Sequence, residues 1–403
     1  MNKRMNRSRL NIGTYYLDDY ARTEAHVKDL HDCGIDFVVC MQNDRAALDL
    51  FAKYGIGAVV TGIVPGWWGG NGDNASQMEK NNPIEAYIKA AQDFTDHPAV
   101  WGIDAGDEPS ALDFPHYGKV IAAMDKAFEN QFAYLNLYPN YASVVQNNAV
   151  ETVNQLGTAT YDEHIQKYCE CVPADYICYD FYPCNVPKLV LQHYQNLRIV
   201  ADACRDTGRS MWIVLQVNSR SKDVFLTTDQ LRYQAFSSMA FGAENIIWAC
   251  YTAGWWHNQV LDENGNKTEQ YDKLRTVNAE IKALAGEYMK YRRTSTHFIG
   301  FENVPGFDIV GYDTVSSLDT GVFLDVKSDA PIIVGEMASH TPNGGNALFV
   351  YASDNMDDKA EKKTVTVTFK ALREVKAVGC EVTRDGDTYT VKLPSNGAAL
   401  ITA

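Results

Sequence analysis

Short apolar runs alternate with amphipathic stretches over roughly the first 290 residues, the pattern expected of parallel strands joined by crossover helices. The runs predict strands over Asn11–Tyr16, Phe37–Cys40, Ala58–Gly62, Val100–Asp104, Phe132–Leu137, Tyr176–Asp180, Trp212–Val217 and Asn245–Tyr251. Between them, Arg22–Asp32 places Ala25, Val27 and Leu30 near one helical face, and Pro187–Asp206 and Asp229–Ala240 behave similarly. Eight strand–helix repeats in this length predict an α/β fold, a closed (β/α)8 TIM barrel. The alternative is a doubly wound open sheet. It usually has fewer strands and favours a glycine-rich phosphate loop after its first strand, where Tyr15-Tyr16-Leu17-Asp18 stands instead.

The period changes after a predicted helix at Tyr271–Met289. From Phe298 onward the chain offers short alternating strands at Phe307–Tyr312, Gly321–Val326, Ile332–Gly335, Ala347–Ala352, Thr364–Phe369 and Thr388–Leu393. Turn-forming runs separate them, among them Pro342-Asn343-Gly344-Gly345 and Arg384-Asp385-Gly386-Asp387. We read a small C-terminal all-β sandwich packed on the barrel, with the barrel spanning 1–294 and the sandwich 295–403.

Composition narrows the function. The length of 403 residues exceeds what a single core usually organises, in keeping with a large domain and a small one. With 51 acidic residues against 36 basic ones the formal charge is −15, which argues against nucleic acid or an anionic membrane as partner. A neutral substrate suits that balance. No apolar run approaches the ~20 residues that span a bilayer. The stretch Met1 to Leu10 is basic and polar, so no signal peptide is expected: the protein is cytoplasmic, or secreted with its leader absent from this sequence. The nine cysteines are odd in number, and Cys40, Cys178 and Cys250 fall in predicted strands; we read them as reduced. Cys169 and Cys171 lack zinc-knuckle spacing, and neither metal nor cofactor is expected.

In a TIM barrel the reacting groups sit at the carboxyl ends of the strands. Those ends supply Tyr16, Trp67 and Trp68, the run Asp104-Ala105-Gly106-Asp107-Glu108-Pro109, Asn136, Tyr138, Asp180, Tyr182, Gln216, Asn218, Tyr251, Trp255 and Trp256. Aromatics stack on sugar faces, while amides and carboxylates bond sugar hydroxyls, so a carbohydrate substrate fits this set better than a phosphate or hydride-transfer site. Glycoside cleavage needs an acid for the leaving oxygen and a second group at the anomeric carbon. Glu108 is the candidate acid. A glutamate near other carboxylates and under aromatic walls should keep its proton near neutrality. The bland reading is that Asp107-Glu108-Pro109 caps the next helix. Asp180 is the candidate second carboxylate, against a bland reading in which it bonds loop amides. Strand parity predicts that Asp104 and Glu108 face the barrel axis while Asp107 points elsewhere. The tryptophan pairs are read as site walls, against simple packing.

At these residues the chain resembles the (β/α)8 clan of retaining glycosidases, in particular family 42 β-galactosidases and uncharacterised bacterial relatives. The matching residues are Trp101-Gly102 leading to Asp107-Glu108-Pro109, Tyr179-Asp180-Phe181-Tyr182-Pro183, and Trp212-Ile213-Val214-Leu215-Gln216. Arg232 to Gln234, Ala240-Phe241-Gly242-Ala243 and Asn278-Ala279-Glu280-Ile281 continue the match, which covers residues 10–290. The resemblance implies a glycoside hydrolase acting on an oligosaccharide or glycoside, with Glu108 as general acid/base. Two positions depart from it. Asp107 stands where the clan has asparagine, and Gln216 stands where it has a nucleophilic glutamate; an amide cannot form a glycosyl ester. Three readings follow: Asp180 supplies the second carboxylate, or the substrate supplies its own nucleophile, or the barrel binds sugars without cleaving them. For the second, Asp104, Glu108, Tyr179 and Asp180 loosely echo family 18 chitinases, with Gly106 where those carry aspartate. A metal-dependent lyase or hydrolase ranks below all three, since only His257 lies near a strand end.

Overall fold

The computed structural model describes residues 4–64, 80, 83–142, 146–147, 152–153, 155–184, 189–252, 254–301, 314–342, 344–354 and 361–403. Eight parallel strands close into a barrel in chain order: β1 (Asn11–Tyr15), β2 (Phe37–Met41), β3 (Gly57–Val60), β4 (Val100–Asp107), β5 (Phe132–Leu137), β6 (Tyr176–Phe181), β7 (Ser210–Gln216) and β8 (Ala243–Ala249), with β8 returning to β1. These strands are apolar on both faces because one face fills the barrel and the other lies under helices; β7 is buried at all seven positions. A helix follows each strand: α1 (Glu24–Asp32), α2 (Arg45–Tyr54), α3 (Ile84–Ala91), α4 (Phe114–Ala127), α5 (Tyr161–Cys171), α6 (Leu189–Thr207), α7 (Thr228–Ala240) and α8 (Glu269–Tyr288). Local chemistry fixes several starts. Thr160 with Glu163 caps α5 reciprocally, and Thr227 with Gln230 does the same for α7.

The eight expected barrel strands are all present, with shifted ends. β4 runs to Asp107 rather than stopping at Asp104, and β8 ends at Ala249 rather than Tyr251. Both shifts change what reaches the mouth of the barrel.

The C-terminal part is all-β, in two sheets. The strand Tyr291–Ile299 follows α8 directly and pairs antiparallel with Ile332–Ser339; its polar, cationic start hid it from the apolar pattern. Asn346–Ala352, Ala398–Thr402, Lys376–Val378 and Thr314–Val315 complete the six-stranded sheet, and Phe323–Ser328, Thr364–Ala371, Thr388–Pro394 and Val382–Asp385 form the four-stranded one. The expected strand Phe307–Tyr312 lies outside the described residues. Strand alternation divides the large sheet between two cores. Phe298, Phe349, Tyr351 and Leu400 join the apolar cluster of the barrel, while Ile299, Leu348, Val350 and Ile401 meet Val365, Val367 and Val391 of the small sheet. All nine cysteines are free. Among the described residues no helix is long and apolar enough to cross a membrane.

Candidate active site

The centre of the mouth is built by a break in β4. Its pairing with β5 slips between Asp104 and Gly106, a β-bulge. Gly106 takes φ +155, and a Cβ there would lie 2.8 Å from the Tyr117 ring, so the bulge needs glycine. The extra residue resets the alternation of side chains. Asp107 therefore turns into the mouth, which corrects the expectation that it points elsewhere. Glu108 follows with φ +45, a left-handed conformation unusual for glutamate, and its N–H donates to the Asn136 carbonyl at 2.9 Å. The helix α4 starts only at Phe114, after Asp113, so Asp107-Glu108-Pro109 does not cap it.

Asn136 ties the carboxylates together. Its Nδ2 donates to Asp107 Oδ1 at 3.0 Å and to Asp180 Oδ1 at 2.9 Å. Asp180 is 3% exposed, and its carboxyl lies within hydrogen-bonding reach of the Glu108 carboxyl. Among the described residues, Asp180 thus meets the side chains of Asn136 on β5 and Glu108 just past the end of β4. Burial, Asp180 and Asp107 hold the Glu108 carboxyl far above the usual carboxylate range, and burial with Asp107 raises Asp180 as well. Two carboxyls in contact cannot both ionise, so the pair holds a proton near neutrality. Asp104 lies to the side, accepting from Thr61 Oγ1 at 2.8 Å and from the Gly106 N–H at 3.2 Å; burial and then Asp107 push it up to about 7. Water still reaches Asp104, Asp107 and Glu108, which are only half-buried. Among the described residues no three His, Cys, Asp or Glu side chains converge as a metal site.

Aromatic rings wall this cluster. Tyr16 and Trp255 meet edge to face with centroids 6.0 Å apart, and Tyr182 stands 5.9 Å from Trp255 and 5.2 Å from Trp256. Gly254 makes this wall possible: its φ is +115, and a Cβ would sit 3.0 Å from the Tyr16 ring. The Tyr138 hydroxyl is kept protonated by burial and by Glu108, Asp107 and Asp180, which places it at the acid pair. Trp67 and Trp68 lie outside the described residues.

Three expected contacts do not reach the cluster. Gln216 is fully buried, with Nε2 donating to the Asn218 carbonyl at 2.9 Å and Oε1 accepting from the Cys184 N–H at 3.2 Å. Both ends of its amide are committed to backbone, so it stitches the loops after β6 and β7. Asn218 is likewise buried and holds the Trp255 carbonyl at 2.6 Å. Tyr251 falls beyond the end of β8, and its ring is directed toward Cys33, Tyr271 and Asp29 on the helix layer.

Other groups at the site escaped the sequence. Tyr15 and Tyr134 share a hydroxyl hydrogen bond of 2.9 Å and feel the charge of Asp107. Tyr134 shares parity with Asn136 on β5, so alternation would have found it had the interior of the strand been read with its end. Tyr141 stands near Asp180, Glu108 and Arg220, in a loop with no periodic signal.

No protein-family model matches the chain, and no curated protein matches it in sequence. Similarity emerges only in solved structures. SrfJ from Salmonella typhimurium superposes with a TM-score of 0.50 at 8% identity, over 98% of this chain and 90% of that one. A family 5 mannosidase from Rhizomucor miehei, in a mutant form, gives 0.46 at 11% identity, over 66% and 92%. The endoglucanase Cel5A of Pseudomonas stutzeri, in complex with cellobiose, gives 0.44 at 14% identity, again over 66% and 92%. At such identities the likeness concerns the fold, which SrfJ shares over both parts.

Proposed function

We propose that this protein is a glycoside hydrolase with Glu108 as its general acid. The observation that carries the reading is the carboxyl pair of Glu108 and Asp180, tied through Asn136 to Asp107 at the aromatic mouth of the barrel. A leaving glycosidic oxygen needs a proton, and Glu108 can hold one at neutral pH because partial burial and its acidic neighbours disfavour the anion. A glycosidic oxygen that replaces Asp180 as acceptor receives this proton. Asp180 is then left ionised beside the anomeric carbon, where its charge stabilises the developing oxocarbenium ion. The Glu108 carboxylate takes a proton from the attacking hydroxyl and is restored. The left-handed backbone of Glu108 fits this role, since strain at a non-glycine residue tends to collect at functional positions.

The hydrogen-bonded contact is shorter than the ~5–5.5 Å between acid and nucleophile in retaining enzymes and the ~6.5–9.5 Å in inverting ones. Glu108 and Asp180 therefore act as one proton-holding unit, leaving attack to water or to a group on the substrate itself. The family 42 resemblance serves for the acid and not for the nucleophile, because the Gln216 side chain is spent on Cys184 and Asn218. Glu108→Gln should lower kcat on any cleaved aryl glycoside by about 10²–10⁴-fold while sugars still raise the melting temperature. Unchanged turnover in that variant would sink the assignment. Wild-type protein that binds glycans but cleaves none of a broad panel would be a sugar-binding barrel instead. A 2-deoxy-2-fluoro glycoside should leave no covalent adduct; a glycosylated Asp107 or Asp180 in the mass spectrum would overturn the mechanism and leave the activity standing.

A further inference from the structure

Among the described residues, one cation acts on the aromatic wall of this acidic mouth. Arg220, exposed in the loop after β7, lies with its guanidinium 4.9 Å from the centroid of the Trp256 ring. The Tyr141 hydroxyl feels both the positive charge of Arg220 and the charges of Asp180 and Glu108, so the arginine lies within electrostatic reach of a ring that borders the acid pair. Arg220 makes no ion pair or hydrogen bond with a described residue, although four carboxylates crowd the site. Its loop is built rather than loose. The main chains of Ser219 and His257 bond each other at 2.8 and 2.9 Å, and Asn258 Nδ2 donates to the carbonyls of Ser221 at 3.1 Å and Val224 at 2.8 Å. A guanidinium on an indole face keeps its edge donors available, and their planar fork matches the two oxygens of a carboxylate or sulfate.

We propose that Arg220 reads an anionic group, so that the preferred substrate carries a carboxylate or sulfate on the sugar beside the scissile bond. The inference rests on the glycosidase reading above and names its substrate class. A neutral sugar would need no cation here. An anionic one, entering a mouth lined with carboxylates in a chain of net charge −15, would be repelled without one. Tyr182 stands 5.2 Å from the Trp256 ring that carries Arg220 and 5.9 Å from Trp255, so the arginine borders the wall on which a sugar ring would stack.

Calorimetric titration of the Glu108→Gln protein tests this without turnover. Its ligands are matched methyl glycosides: a hexuronoside, a sulfated hexoside and the neutral parent. At least one anionic member should bind about tenfold tighter than the neutral one, and the stronger of the two identifies the group. Adding Arg220→Gln should bring that ratio to within about threefold, as should salt near ~0.5 M. Neutral sugar binding equally well, an anion preference that survives Arg220→Gln, or no binding of either anion would overturn the proposal. Failure of the glycosidase reading would register separately, as absent hydrolysis by the wild type with the binding preference intact.

Discussion

Two clusters in this molecule bury carboxylates and treat them in opposite ways. Where the barrel meets the C-terminal sheets, Asp229 is wholly buried at the start of α7, with Arg232 Nη1 at 2.8 Å and Lys362 on its other oxygen. Arg232 also grips Glu280 of α8 through two bonds of 2.6 and 2.9 Å. Each of these two acids has a cation. At the barrel mouth Asp104, Asp107, Glu108 and Asp180 share hydroxyls, an amide and each other. Burying charge without a countercharge is costly, and the mouth limits the cost by retaining protons. The junction thus spends its ionic groups on holding two parts of the chain together. The mouth keeps the proton-sharing arrangement that acid–base chemistry requires.

The same substitution, aspartate to asparagine, separates the two regimes. Its largest effect should come at the mouth, on activity. On the proposed mechanism Asp180→Asn removes the charge that would stabilise the oxocarbenium ion and leaves Glu108 a neutral amide oxygen in place of a carboxylate as acceptor. We expect kcat to fall about 10²–10⁴-fold, with Glu108 losing part of its upward shift, so that the alkaline limb of the pH profile moves to lower pH. Steady-state rates from pH 4 to 9 would measure both. An alkaline limb that does not move would mean that the two carboxyls are not coupled.

At the junction the substitution should act on stability. Asp229→Asn leaves Arg232 and Lys362 facing a neutral amide at a buried position, at a cost on the order of 3 kcal/mol. Lys362→Met removes only a half-exposed partner and should cost less than about 1 kcal/mol. Thermal melts followed by circular dichroism would rank them. Equal losses would mean that the junction is held by apolar packing alone.

The fold was legible because barrel strands need runs of buried apolar residues, and those runs survive without any relative to compare. The site was legible only in part. Asp180, Asn136, Tyr182 and the tryptophans after β8 could be placed at strand ends by counting, but Asp107 could not. Its direction depends on the bulge at Gly106, which no periodicity announces. Gln216 and Tyr251 mark the opposite failure. A strand-end position does not reveal whether a side chain faces the axis, a loop amide or the helix layer, and both were claimed by neighbours distant in sequence. Arg220 stayed hidden because a lone arginine in a polar loop reads as surface.

The smallest expected effect sharpens the comparison most, because its sign reverses. Asp104 is held up to about 7 chiefly by burial, against an ordinary value of 3.8. Between those values the folded protein binds more protons than the unfolded chain, so stability declines as pH rises from 3.8 toward 7. Above that range the whole penalty is present; below it there is none. Asp104→Asn abolishes the penalty, and its carbonyl oxygen can still accept from Thr61. The variant should therefore melt a few degrees higher than wild type at pH 8 and at the same temperature near pH 4. Asp229→Asn should melt lower at pH 8. If both substitutions destabilise at pH 8, Asp104 is a paired structural acid like Asp229, and the contrast between mouth and junction fails.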